Sequence, residues 1–158
     1  MSLFFSHKLV TDHSSLKNYP YQLPHLQLLK ETVMDIDTVQ RKEKCDYLAP
    51  DGSEIFLLAN GSKGSLCQCI LPVGAVSEAI SHKTVEELWF IIEGQGEVFR
   101  KGINKDEPVA VNSGTSLVIP SQTTFQFRNT GDVPLRFMIT TIPPWPGPDE
   151  AIKVKGKW

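Results

Sequence analysis

From residue 45 onward, short apolar-rich runs alternate with turn residues. Residues 47–49 and 53–58 flank Pro50-Asp51-Gly52, a pattern that predicts a hairpin. Asn60-Gly61 and Lys63-Gly64 then lead into an apolar run at 65–71, which Pro72-Val73-Gly74 ends. The run 86–92 is the most apolar and stops at Glu93-Gly94-Gln95-Gly96. Residues 97–100 and 108–111 bracket a polar loop. Asn112-Ser113-Gly114 precedes 116–119, and Gly131-Asp132 separates 124–129 from 134–142. Short strands punctuated this often predict an all-β fold, either a sandwich or a closed antiparallel barrel.

The first 44 residues read differently. Tyr19-Pro20-Tyr21 and Leu23-Pro24 break regular structure. Leu26, Leu29, Val33 and Ile36 form a helical stripe, which predicts a short helix over 26–40. This segment is expected to be an arm, residues 1–44, that packs on the barrel (45–148) or on a partner. Pro143-Pro144-Trp145-Pro146-Gly147-Pro148 admits neither helix nor strand. It is expected to lie extended with Trp145 as its anchor, ahead of a C-terminal tail, 149–158.

A chain of 158 residues is the size of one domain and buries a core without staples. Lys and Arg are scattered and the formal net charge is -2, which points away from nucleic acid and acidic membranes. No apolar stretch is long enough to span a bilayer, and the start has no signal-peptide core. Cys45, Cys67 and Cys69 fit no disulfide framework, so reduced thiols and a cytoplasmic location are expected.

Two spaced motifs add chemistry. Gly74, Ile80, His82, Glu87 and Gly94 form the first, and Gly114, Pro120, Gln122, Phe125 and Asn129 the second. Their order resembles the cupin superfamily, specifically its small single-domain bacterial members, across roughly residues 49–148. The resemblance implies a jelly-roll barrel and, in typical members, a divalent metal held by three histidines and one glutamate. Here Ile80 and Phe125 stand where two of those histidines are usual, and Gln122 replaces a glycine. The metal site is therefore expected to be degenerate.

Strand alternation adds detail. If Glu87 points inward, Trp89 and Ile91 do too, while Leu88, Phe90 and Ile92 face away. A pocket of Ile80, His82, Glu87, Trp89, Phe125 and Phe127 is expected, apolar and aromatic with two polar groups. No tightly bound metal is expected. If one binds, His82 and Glu87 would hold iron, manganese, nickel or zinc, with Cys67, Cys69, Gln122 or Gln126 as substitute ligands. The leading expectation is a module that binds a small organic molecule. Arg100, Arg128 and Arg136 are candidate partners for an anionic group on it. The alternative is an enzyme in which His82 and Glu87 are catalytic. It would be a metal-dependent oxygenase or isomerase, or a metal-free acid–base isomerase. The apolar row Leu88, Phe90 and Ile92 also suggests a homodimer.

Overall fold

A computed structural model describes residues 38–49, 52–101 and 106–158. Eleven strands run in chain order: β1 (Tyr47–Leu48), β2 (Glu54–Asn60), β3 (Ser65–Leu71), β4 (Ile80–His82), β5 (Glu86–Glu93), β6 (Gln95–Arg100), β7 (Val109–Asn112), β8 (Ser116–Ile119), β9 (Thr124–Asn129), β10 (Leu135–Ile142) and β11 (Ala151–Lys153). They form two antiparallel sheets, ordered β1-β2-β3-β10-β5-β8 and β11-β4-β9-β6-β7. The jelly-roll expectation holds. Among the described residues no helix is long and apolar enough to cross a membrane.

Alternation determines which side chains meet between the sheets. On β5, Glu87, Trp89 and Ile91 are buried while Leu88, Phe90 and Ile92 are exposed. On β10, Leu135, Phe137, Ile139 and Thr141 are buried. Trp89 stacks on Phe137 at 4.5 Å between ring centroids, and Phe127 meets both rings edge-on. Leu71, Val98, Ile119 and Phe125 complete this core. Offset and edge-on ring contacts add to the gain from area burial.

The turn glycines behave as their positions demand. Gly94 and Gly114 have φ of 85° and 89°. A Cβ on Gly94 would also lie 2.7 Å from the Pro134 carbonyl oxygen, so both conformation and space select glycine there. The hairpin of β1 and β2 is present, with Tyr47 opposite Ile55.

The C-terminal tail departs from the sequence reading. Residues 1–37 lie outside the described residues, and with them most of the expected arm and helix. The described end of that helix, 38–40, is not helical. Residues that follow lie on the outer face of β2, with the Arg41 guanidinium 4.4 Å above the Phe56 ring. At the other end, the tail supplies β11, which pairs with β4. Its last residues are then clamped by Gln126, whose side-chain oxygen accepts the N–H groups of Lys157 and Trp158. A strand of three residues, Ala151–Lys153, is too short for a period to be read from sequence.

Candidate functional site

Three strands bring the expected pocket residues together. Ile80 and His82 come from β4, Glu87 and Trp89 from β5, Phe125 and Phe127 from β9. Ile80 lies directly opposite Phe125 in the β4–β9 ladder. The two positions that lack histidine are therefore cross-strand neighbours. The space between the sheets is filled rather than open: the Trp89 ring meets Phe125 at 5.8 Å and Phe127 at 5.2 Å, edge-on in both cases.

Glu87 is held at both oxygens. Oε2 accepts the indole N–H of Trp89 at 2.8 Å, and Oε1 lies 3.2 Å from Nε2 of His82. The i, i+2 spacing of Glu87 and Trp89 on one strand face makes the first contact possible. His82 is 3% exposed. Its ring meets Phe125 and Trp145, each at 5.2 Å, and among the described residues its Nδ1 has no hydrogen-bond partner. In the tautomer that donates Nε2–H to Glu87, Nδ1 is a bare acceptor in an aromatic surround.

Trp145 covers the imidazole from the proline-rich strap after β10. Its backbone N–H donates to Ser65 Oγ at 3.0 Å, and Ser65 Oγ in turn bonds Thr141 Oγ1. The indole is 38% exposed, so one side of it faces solvent and the other faces His82. Trp145 was expected as an anchor; its contact with His82 was not legible, because it depends on where the strap turns.

Glu150 is a second buried carboxylate that sequence reasoning missed. It accepts the Val85 N–H at 2.8 Å, the Thr84 N–H and the Thr84 hydroxyl. Burial alone would raise its carboxyl. The hydrogen bonds from Thr84 and Val85, with His82 nearby, outweigh that and hold it below the usual range. It anchors the turn between His82 and Glu87 from the tail.

The candidate substitute ligands Cys67, Cys69, Gln122 and Gln126 come from β3, β9 and the turn before β9. Burial, with the Glu87 charge adding, pushes the Cys67 thiol up to about 12, so it stays protonated. Cys69 sits in the apolar core. Gln126 is engaged with Ser77, Lys157 and Trp158. Gln122 holds a left-handed backbone, φ 63°, and lines a cleft on the outer face. Among the described residues no group of three or more His, Cys, Asp or Glu is clustered to hold an ion. The arginines are also committed: Arg100 to the Val118 carbonyl, Arg128 to Glu97 and Arg136 to Glu93. His7, His13 and His25 lie outside the described residues.

This is a double-layered antiparallel β barrel with a polar pair buried at one end. The cupin-domain family model matches residues 68–141. An uncharacterized protein of Methanocaldococcus jannaschii is 33% identical over 111 residues, covering 67% of this chain and 86% of that one. The chain belongs to the cupin superfamily. Among solved structures it is similar to a predicted oxalate decarboxylase of Thermotoga maritima, with a TM-score of 0.52 and 22% identity over 58% of this chain and 80% of that one. It also resembles Bacillus subtilis oxalate decarboxylase, a protein with Mn(II) centers. There the TM-score is 0.57 with 15% identity, over 65% of this chain and 28% of that one. These structural likenesses establish the fold alone.

The residues present do not fit a cupin metal. Two donors remain at the ligand positions, and both oxygens of one already face Trp89 and His82. Catalytic zinc sites and facial triads use three protein ligands.

Proposed function

We propose that this protein binds a small organic molecule at the mouth of the barrel, with His82 as its polar recognition group and no tightly bound metal. The orphan Nδ1 of His82 carries the reading. A buried polar atom without a partner costs about 1–3 kcal/mol, which a ligand that hydrogen-bonds it recovers. Ile80, Phe125 and Trp145 suit a compact, largely apolar molecule with one hydroxyl, amide or acid group. The ligand enters when the Trp145 indole swings out and takes the space that ring now fills.

The enzyme alternative shares this starting point. Proton transfer by the His82–Glu87 pair also needs a substrate at Nδ1, so binding there comes first in both readings. The exposed row Leu88, Phe90 and Ile92 on the far side of β5 supports a homodimer formed through that face.

The test is a fragment screen by NMR on protein labelled at imidazole and indole nitrogens. Fragments that bind are expected to move His82 Nδ1 and the Trp145 indole together. Replacing His82 with Phe should weaken them at least about tenfold. Fragments that bind equally well to the His82→Phe variant would contradict the reading.

A further inference from the structure

The outer face of the β11-β4-β9 sheet carries a cleft of about 470 Å³ that the barrel interior does not use. Its floor is one row of the sheet. Ile152 lies opposite Ser81, and Ser81 opposite Thr124. The Lys101 backbone N–H donates to the Thr124 carbonyl at 2.8 Å, which extends the row by one strand. Lys83 and Gln122 stand at one end of the cleft and Val154 at the other.

Several features make this face suited to an anion. Ser81 and Thr124 are cross-strand neighbours, and Lys83 lines the same cleft. Neither Lys83 nor Lys101 has an ion-pair partner among the described residues. Two nearby carboxylates are already engaged, Glu150 by Thr84 and Val85 and Glu78 by Lys153, while Asp149 lines a neighbouring cleft with Lys83. Ile152 and Val154 add an apolar wall for the body of a ligand. Gln122 also keeps a left-handed backbone at a position where glycine would avoid strain, which puts a side-chain amide on the cleft rim.

We propose that the cleft of Ser81, Lys83, Gln122, Thr124, Ile152 and Val154 binds the carboxylate or phosphate group of a small organic anion. Lys83 supplies the charge and the Ser81 and Thr124 hydroxyls donate hydrogen bonds to the oxyanion. Charge-assisted bonds of this kind are the stronger class. His82 also borders this cleft, while its imidazole packs against Phe125 and Trp145.

The experiment titrates the full chain, labelled with ¹⁵N, with benzoate and separately with inorganic phosphate. Saturable shifts are expected at Ser81, Lys83, Gln122 and Thr124, with Leu88 and Phe90 on the other sheet unmoved. Lys83→Gln should weaken the titration about tenfold, and Thr124→Val, which keeps volume, should weaken it severalfold. Lys155→Gln, a change to a lysine outside the cleft, should leave it unchanged. Saturation by benzoate alone assigns a carboxylate ligand, and by phosphate alone a phosphorylated one. Absence of saturable shifts, or shifts that persist in both Lys83→Gln and Thr124→Val, would overturn the proposal. Shifts confined to the His82 ring and Trp145 would overturn it too, while supporting the interior site.

Discussion

Gln122 offers a direct test of backbone strain at the second motif. The Thr123 N–H donates to the Pro120 carbonyl, which places Gln122 third in a four-residue turn, and its φ is 63°. That position of a turn favours glycine when φ is positive. A left-handed L-residue costs roughly 1–2 kcal/mol, because Cβ crowds the following carbonyl oxygen. Glycine avoids the clash but gives up roughly 0.5–1 kcal/mol through its greater freedom when unfolded. Gln122→Gly should therefore stabilise the protein by about 0.5–1 kcal/mol. It keeps the backbone bond from residue 122 to the His82 carbonyl, 2.7 Å in the structure. With a urea slope near ~2 kcal/mol/M, the unfolding midpoint should rise by about 0.3–0.5 M at unchanged slope. Gln122→Val should lower it by a comparable or larger amount, since β-branching worsens the same clash. A lower midpoint for Gln122→Gly would refute the reasoning and mean that the glutamine side chain contributes more than its backbone costs.

Two further outcomes follow from the packing. Glu150→Ala strands the Thr84 and Val85 N–H groups and should cost about 1–3 kcal/mol, measured by urea denaturation. Because the Glu150 carboxyl is held low, its stabilisation is complete above the unfolded carboxylate value near ~4.3. It is lost as pH falls through the lower folded value, so Glu150→Gln should flatten this part of the acid limb. A variant with the same acid limb would contradict the assignment. Phe90, 51% exposed between Leu88 and Ile92, should carry the dimer face. Phe90→Glu should give a monomer by light scattering without loss of thermal stability within the monomer, whereas a monomeric parent protein would remove the dimer proposal.

Much of the barrel was legible because its determinants are local. β3, β8 and β9 begin and end where the turn residues say, and β5 alternates as its apolar pattern requires. Gly94 and Gly114 take positive φ as their motif positions imply. The company of His82 was half legible. Glu87 and Trp89 share a face by spacing alone, so their contact follows from strand period. Trp145 reaches His82, and Glu150 reaches Thr84, only because the strap and tail fold back over the barrel. Such contacts span more than sixty residues and leave no periodic trace. Face assignment says which side chains converge but not how closely they pack; in the structure Trp89 meets Phe125 and Phe127 edge-on.

Under the proposed reading, Ile80 and Phe125 stand where metal-binding cupins have histidines, so this protein should not hold a metal tightly. Metal content measured by elemental analysis tests it most directly, after incubation with iron, manganese, nickel or zinc and removal of free ion. The natural protein should retain well under one equivalent. The Ile80→His/Phe125→His variant places two imidazoles on cross-strand neighbours beside His82 and Glu87, and should retain close to one. Stoichiometric metal on the natural protein, lost in His82→Ala, would contradict the account.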